Sequence, residues 1–335
     1  MTSRSAVETY SVVVATYLRV HRLYEALESL KRQTRPPDEV VLVTKSCDPA
    51  SSGVVERYIA QQRSGITWRH ATVHEMSILA AERAGVAASR GDVVCFLDDD
   101  AVAREDWIAR MAVHYGDAGV GGVGGRDVVH HGDLIDGKPV RRVGRVSWFG
   151  RLTGNHHNEA ATPRAVDFLK GCNMSFRRPL ALQLDMRLVG EITYGFEVDL
   201  GLTARRLGYS LIYDPNLIVD HYPSRQTPLG ITDPLNVYVV SHNQTYAILK
   251  HFRPPRRFIF LIYTHLLGDR NTPGILRALW LPLPKGRSKR EVLRAARQGK
   301  RDAWRLFQHS AHECAPVPAG RKPGPGASTA GSEAR

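Results

Sequence analysis

Between Ser11 and Asp100, short apolar runs alternate with stretches of helical period, and this alternation restricts the fold more than any other feature of the chain. Ser11 to Ala15 reads as a buried strand. Val20, Leu23, Leu27 and Leu30 then recur at three- and four-residue spacing, the mark of an amphipathic helix, which Thr34-Arg35-Pro36-Pro37 stops. Val40 to Val43, Ile66 to Thr72 and Val93 to Leu97 read as further strands, with helices over Val54 to Gln62 and about Ser77 to Ala88. Strand and helix in regular succession imply right-handed crossovers and an α/β fold, a mostly parallel central sheet flanked by helices. Ligands of such sheets bind beyond the carboxyl ends of the strands. Thr16, the segment Thr44 to Asp48 and the run Asp98-Asp99-Asp100 all fall at such ends, so one cleft is expected to collect them.

Further on, Glu105 to Tyr115 and Glu197 to Leu207 read as helices, and Val120 to Arg126, Val166 to Leu169, Met174 to Phe176 and Tyr209 to Tyr213 as strands. The stretch from His130 to about Arg164 has no period and is expected to be a long loop of the kind that carries function. After His221 the pattern turns helical with proline breaks. The expected organisation is a catalytic domain over 1–222, a helical extension over 223–312 and a disordered tail over 313–335, rich in Pro, Gly, Ala and Ser. Charge follows the same division. The first 221 residues carry 27 basic and 27 acidic side chains, and the rest 19 basic and 6 acidic, so the whole formal excess of +13 lies in the C-terminal third.

A basic segment beside the apolar run Phe258 to Ile262 suits either an anionic membrane surface or a helix packed on the catalytic domain. No helix-turn-helix, zinc-finger or RNA-binding signature supports a nucleic-acid partner. The four cysteines stand apart without a Cys-x-x-Cys pair, the N-terminus lacks the apolar stretch of a signal peptide, and no run is long enough to span a bilayer. The expectation is a cytoplasmic chain, either free there or peripheral on the cytoplasmic membrane face.

Three adjacent carboxylates at the mouth of an apolar strand are costly unless a cation sits among them, and hard oxygen ligands suit Mg²⁺ or Mn²⁺. On extended backbone Asp98 and Asp100 share a side while Asp99 points elsewhere. A solvated acidic turn or a helix cap is the plain alternative. Glu197 and Asp199 stand at a helix start, where the macrodipole favours anions whether or not one of them is a general base. The cluster Gly121-Gly122-Val123-Gly124-Gly125 lacks the Lys-Ser/Thr ending of a phosphate loop and is read as strand.

In order, Val12-Val13-Val14-Ala15-Thr16-Tyr17-Leu18-Arg19, Arg83-Ala84-Gly85 leading to Phe96-Leu97-Asp98-Asp99-Asp100, Lys170-Gly171-Cys172-Asn173 to Arg177, Gly195-Phe196-Glu197-Val198-Asp199-Leu200 and Val219-Asp220-His221 are all present. This series resembles the family 2 glycosyltransferases of the GT-A fold, over about residues 10 to 222. The resemblance implies an inverting transfer from a nucleoside-diphosphate sugar to a hydroxyl acceptor, saccharide, lipid-linked or small-molecule. Glu197 would be the general base with Asp199 in reserve, and Asp100 and His221 would hold a divalent metal, Mn²⁺ or Mg²⁺. Thr16, Tyr17, Arg19, Asp48, Arg83, Asp98 and Asp99 would meet the nucleotide sugar, and Gly171 and Asn173 the acceptor. The chain departs from the family pattern at Ala15, Leu18, Thr44 and Arg83; at Thr44 the carboxylate that would read the base is missing, with Asp48 nearby. Nucleotidyl transfer and a non-catalytic sugar- or lipid-binding scaffold are the alternatives.

Overall fold

The computed structural model describes residues 8–131, 134–135, 137–223, 233–280 and 288–313. The first part alternates as expected: β1 (Tyr10–Ala15), α1 (Val20–Lys31), β2 (Glu39–Lys45), α2 (Pro49–Ala60), β3 (Thr67–Val73), α3 (Ile78–Ala88) and β4 (Val93–Leu97). There follow β5 (Ala101–Ala103), α4 (Trp107–Tyr115), β6 (Val120–His131), β7 (Leu134–Ile135), β8 (Arg145–Val146), β9 (Leu152–Thr153), β10 (Arg164–Val166) and β11 (Asn173–Arg177). After α5 (Arg178–Ala181), α6 (Phe196–Arg206) and β12 (Ser210–His221) come α7 (Pro234–His251), α8 (Arg256–Leu266), α9 (Ile275–Trp280) and α10 (Lys289–Glu313).

One sheet runs in the order β10-β12-β6-β11-β4-β1-β2-β3, with β3, β2, β1, β4, β6 and β12 parallel and β11 and β10 reversed. Every residue of β4 is buried, because α1 and α4 cover one face of the sheet and α3 and α6 the other. Its continuous apolar run follows from that two-sided burial.

Several expected boundaries shift, each for a local reason. Helix α2 begins at Pro49, not Val54; Pro-Ala-Ser-Ser-Gly has no apolar period, but Asp48 caps it, its Oδ1 accepting from Ser51 N at 3.0 Å. The expected strand over Tyr209 to Tyr213 is the first half of β12, which passes an irregularity between Asp214 and Ile218, beside Pro215, and continues to His221. Strand β6 runs on past Arg126 to His131, and β10 ends at Val166. The stretch read as one long loop holds the small hairpin β8–β9. Glycines in β6 serve packing: a Cβ on Gly125 would fall 1.7 Å from Leu217 O of β12. The tail beyond Glu313 lies outside the described residues. Among the described residues no helix is long and apolar enough to cross a membrane.

Helix α7 is fastened to the sheet-bearing part by charge. Lys250 Nζ lies 2.8 Å from both Asp185 Oδ2 and Asp199 Oδ2, and His251 Nε2 lies 2.8 Å from Asp199 Oδ1. Asn243 adds hydrogen bonds to the backbone of Val189 and Tyr194. Lys300 of α10 is buried and donates to the carbonyls of Thr264, Thr272 and Pro273, pinning the turn between α8 and α9. Burial pushes its pKa down to about 8.

Removing one member of a buried ion network leaves the others short of charge; without Lys250, Asp199 keeps only His251, and Asp185 loses one of its two cations. Lys250→Met is expected to cost about 3–5 kcal/mol in denaturant unfolding at pH 7. The Asp185 carboxyl, pushed up by burial, is pulled further down by Arg187 and Lys250 and titrates below its ordinary value. Its contribution is therefore complete above the unfolded-state pKa and is lost as pH falls below about 4. The gap between wild type and variant should shrink over that acidic window.

Candidate active site

The site is built where β4 ends. The chain turns at Asp98 to Asp100, with Ala101 N donating to Asp98 O at 3.1 Å, and enters β5. Strand β5 pairs with the end of β12 in the register His221↔Ala101, and Tyr222 N donates to Asp100 O at 2.9 Å. This pairing carries His221 to the acidic turn: its Nε2 lies 3.2 Å from Asp100 Oδ1 and 4.0 Å from Asp98 Oδ2. From the other side, β1 lies parallel to β4, so the Thr16-to-Arg19 turn falls beside the same carboxylates. Arg19 Nη1 is 2.7 Å from Asp100 Oδ2 and Nη2 is 2.7 Å from Asp99 Oδ1.

The three aspartates differ in consequence. Asp99 is fully buried and faces Arg19; burial pushes its pKa up to about 7 against the pull of that guanidinium. It anchors Arg19, which corrects its expected place at the nucleotide. Asp98 is raised by burial, with His221 opposing. Asp100 is pushed up by burial, but His221 and Arg19 together outweigh this and hold it below its ordinary value. Conversely His221, which burial alone would make more acidic, is raised by Asp100 and Asp98. Asp98, Asp100 and His221 each offer one ligand atom within 4.8 Å of the others, and Asp100 Oδ1 is buried without a hydrogen bond. Two hard oxygens and an imidazole nitrogen around a shared point fit a divalent cation.

A second group, Asp127, Cys172 and His221, lies behind it. Here Lys170 is ion-paired to Asp127 and supplies the positive charge. Asp127 escaped the sequence reading because β6 was expected to end one residue earlier. Glu82 escaped it too, although its signal was present: with Leu79 and Val86 it shares the buried face of α3. Glu82 is 5% exposed, its Oε2 has no partner, and burial, then Asp98 and Glu197, push its pKa well above the ordinary glutamate range.

Glu197 opens α6. Gly195, the preceding cap, has φ +93°, a conformation that L side chains rarely adopt, and its N–H donates to Glu197 Oε2 at 3.1 Å. Burial raises the Glu197 pKa, with Lys170 pulling the other way. Glu197 and Lys170 line a cavity of about 650 Å³ with Tyr194, Asn236 and Gln244 and, across it, Arg151, Asp269 and Arg270. Gly171 stands beside it; a Cβ there would be 3.6 Å from Glu197 Oε1.

Four other expectations are corrected by the contacts. Both oxygens of Asp199 are taken by Lys250 and His251, so it is no reserve base. Asn173 is buried, accepting from Trp107 Nε1 and donating to the carbonyls of Arg126 and Leu217, away from any acceptor. Arg83 lines a different cavity, with Asp185, Arg206 and Lys250. Asp48 caps α2 and accepts from Leu18 N at 2.8 Å, so it shapes the Thr16-to-Arg19 turn from behind. In that turn Thr16 is buried, and Tyr17 lies under Lys45 Nζ, 5.0 Å from the ring centroid.

An α/β sheet of this order, with an acidic turn beyond a central strand and a glutamate facing an open cavity, defines the GT-A architecture of sugar transferases. The family model described as glycosyl transferase family 2 matches residues 11–184, and the chain belongs to that family. Among curated Bacillus subtilis (strain 168) proteins, the putative glycosyltransferase EpsH is 28% identical over 109 residues, 32% of this chain and 30% of that protein. The uncharacterized glycosyltransferase YwdF is 34% identical over 109 residues, 30% of this chain and 36% of its own length. The matches thus span about a third of these relatives. Solved structures of similar fold include the mannosyltransferase PcManGT from Pyrobaculum calidifontis, in complex with GDP-Man and Mn²⁺ (TM-score 0.53, 16% identity, 92% of this chain and 81% of that one). S. aureus TarS in complex with UDP-GlcNAc has TM-score 0.59 at 15% identity, over 91% and 92% of the two chains. GalNAc-T7 with UDP, GalNAc and Mn²⁺ has TM-score 0.59 at 15% identity, over 93% and 59%. Family membership sets aside the nucleotidyltransferase alternative.

Leu18 has φ +56°, which is strained for a branched side chain, and it is 66% exposed. Leu18→Asn is expected to raise stability by about 1 kcal/mol, seen as a higher denaturant midpoint at unchanged slope.

Proposed function

We propose that the chain transfers a sugar from a nucleoside-diphosphate sugar to a hydroxyl acceptor in a single displacement that inverts the anomeric centre. The observation that carries this reading is the convergence of Asp98, Asp100 and His221 at one point, with Glu197 facing the adjacent cavity. Asp100 and His221 would hold a divalent cation, with Asp98 alongside for the nucleoside; Mn²⁺ in the complexes of PcManGT and GalNAc-T7 supports a metal of this kind. When bound, such an ion neutralises charge on the diphosphate leaving group. The chain's own groups do the rest. Arg19, held by Asp99 and Asp100, keeps 39% of its side chain exposed and can pair with phosphate. Gly195 N–H and the α6 dipole orient the Glu197 carboxylate. Glu197 takes the acceptor proton as the oxygen attacks, and Lys170 keeps the local charge from becoming excessively negative.

Mass-spectrometric screening of UDP- and GDP-sugars against simple acceptors with Mn²⁺ should reveal transfer. Glu197→Gln should lower kcat by about 10²–10⁴-fold while nucleotide binding persists. Full activity of Glu197→Gln would remove Glu197 from the mechanism. Because the base works ionised and burial raises its pKa, activity should fall with acidification at a pH above the ordinary glutamate range. An acid limb at or below that range in kcat/KM profiles would contradict this.

The basic C-terminal part suits a peripheral contact with an anionic bilayer. On α8, Phe258, Ile262 and Leu266 form an exposed stripe at four-residue spacing, and α9 adds Leu276, Leu279 and Trp280, the last 86% exposed. Arg253, Arg270 and Arg277 flank these residues and are exposed. Apolar side chains with a cationic rim bind anionic headgroups and acyl chains together. The wild type should float with vesicles containing anionic lipid and not with neutral ones, and Phe258→Ser with Trp280→Ser should stay at the bottom. Equal flotation of the double variant would assign this face elsewhere.

A further inference from the structure

A cavity of about 500 Å³ shares a wall with the catalytic one and is lined by Arg141, Arg142, Arg145 and Arg164, with Ser147, Trp148 and Thr153. Among the described residues no carboxylate lines it. Arg164 is fixed in place, Nη1 donating to Arg141 O at 2.8 Å and Nε to Thr162 O at 3.1 Å. Arg145 reaches the buried Asp167, 3.5 Å away, but that carboxylate is also claimed by Arg205 and by Val146 N. Among the described residues no carboxylate pairs with Arg141, Arg142 or Arg164. Guanidiniums gathered without counter-ions repel one another, and an oxyanion among them would relieve that repulsion. Trp148 is 56% exposed at the rim, and Arg256 of α8 donates to its carbonyl at 3.1 Å.

The wall between the two cavities is the hairpin β8–β9. Thr153 lines the arginine basin, while its neighbours Arg151, Leu152 and Gly154 line the cavity that holds Glu197. A chain lying across this hairpin would present one unit to Glu197 and another to the basin.

We propose that the arginine basin is an anion subsite for an extended acceptor, a saccharide chain bearing phosphate or carboxylate groups. The inference rests on the transferase reading above. Arginine forks match either oxyanion with paired hydrogen bonds, and the flat indole of Trp148 offers a face to a sugar ring.

Calorimetric titration of the full chain with hexagalacturonate, tripolyphosphate and neutral maltohexaose tests this. At least one anionic probe should bind and maltohexaose should not; tighter binding of the hexagalacturonate assigns carboxylate as the preferred group, of tripolyphosphate phosphate. Arg141→Gln with Arg142→Gln, both exposed and without ion-pair partners, should weaken anion binding by about tenfold or more. A matched pair on α10, Arg290→Gln with Arg294→Gln, removes the same charge and should leave binding unchanged. Equal weakening by the two pairs, no weakening by the basin pair, or binding of neither anion overturns the proposal. Nucleoside-diphosphate binding with Mn²⁺, measured on the same proteins, reports on the donor site separately, so failure of the transferase reading is distinguishable from failure of the basin.

Discussion

Four carboxylates, Asp98, Asp99, Asp100 and Asp127, are gathered beyond the end of one apolar strand, and the rest of the site depends on how their charge is met. Carboxylates this close together, three of them buried and Asp98 half-buried, are affordable only with positive charge among them. Arg19 answers Asp99 and Asp100, Lys170 answers Asp127, and His221 stands between Asp100 and Asp127. Each of these three side chains arrives on a different element: the turn after β1, the approach to β11 and the end of β12. The acidic run therefore needs the whole sheet order to be correct, and the sheet order in turn gathers the chemistry. What Arg19 and Lys170 leave incompletely met, at Asp98 and Asp100 Oδ1, faces the His221 imidazole, and the three together suit one divalent cation.

The framework from β1 to β4 was legible because buried strands and amphipathic helices have distinct periods, and Val93 to Leu97 matched to the residue. The acidic turn and Glu197 stood out by residue type and order, whereas His221, an ordinary strand-end histidine by itself, stood out only through the family resemblance. Their partners did not. Nothing near Asp199 in sequence announces Lys250, some fifty residues on, which consumes it; nothing near Asn173 announces Trp107. Polar residues inside a motif read alike whether they face a ligand or the core, and only tertiary contacts separate the two. Asp48 and Asp99 show an intermediate case: both stand in the expected neighbourhood but serve the site from behind, one by shaping the first turn and the other by holding Arg19.

The helical extension contributes to the same centre. Asn236 and Gln244 of α7 and the segment Asp269 to Asn271 form walls of the cavity facing Glu197, and Lys300 of α10 secures the turn that carries that segment. The cavity facing Glu197 is thus assembled from both halves of the chain, while the acidic turn is assembled from the strand ends alone. That division agrees with the sequence, in which the strand-end motifs resemble a family and the C-terminal third carries the charge.

The central claim is that the acidic turn, completed by His221, binds a nucleoside diphosphate through a divalent cation. Calorimetric titration of UDP and GDP into the wild type and into His221→Ala and Asp100→Asn, each with and without Mn²⁺, tests it most directly. The account predicts binding of at least one nucleotide that requires Mn²⁺ in the wild type and is lost or weakened by about tenfold or more in both variants. Binding that is indifferent to Mn²⁺, or unchanged in both variants, would contradict it.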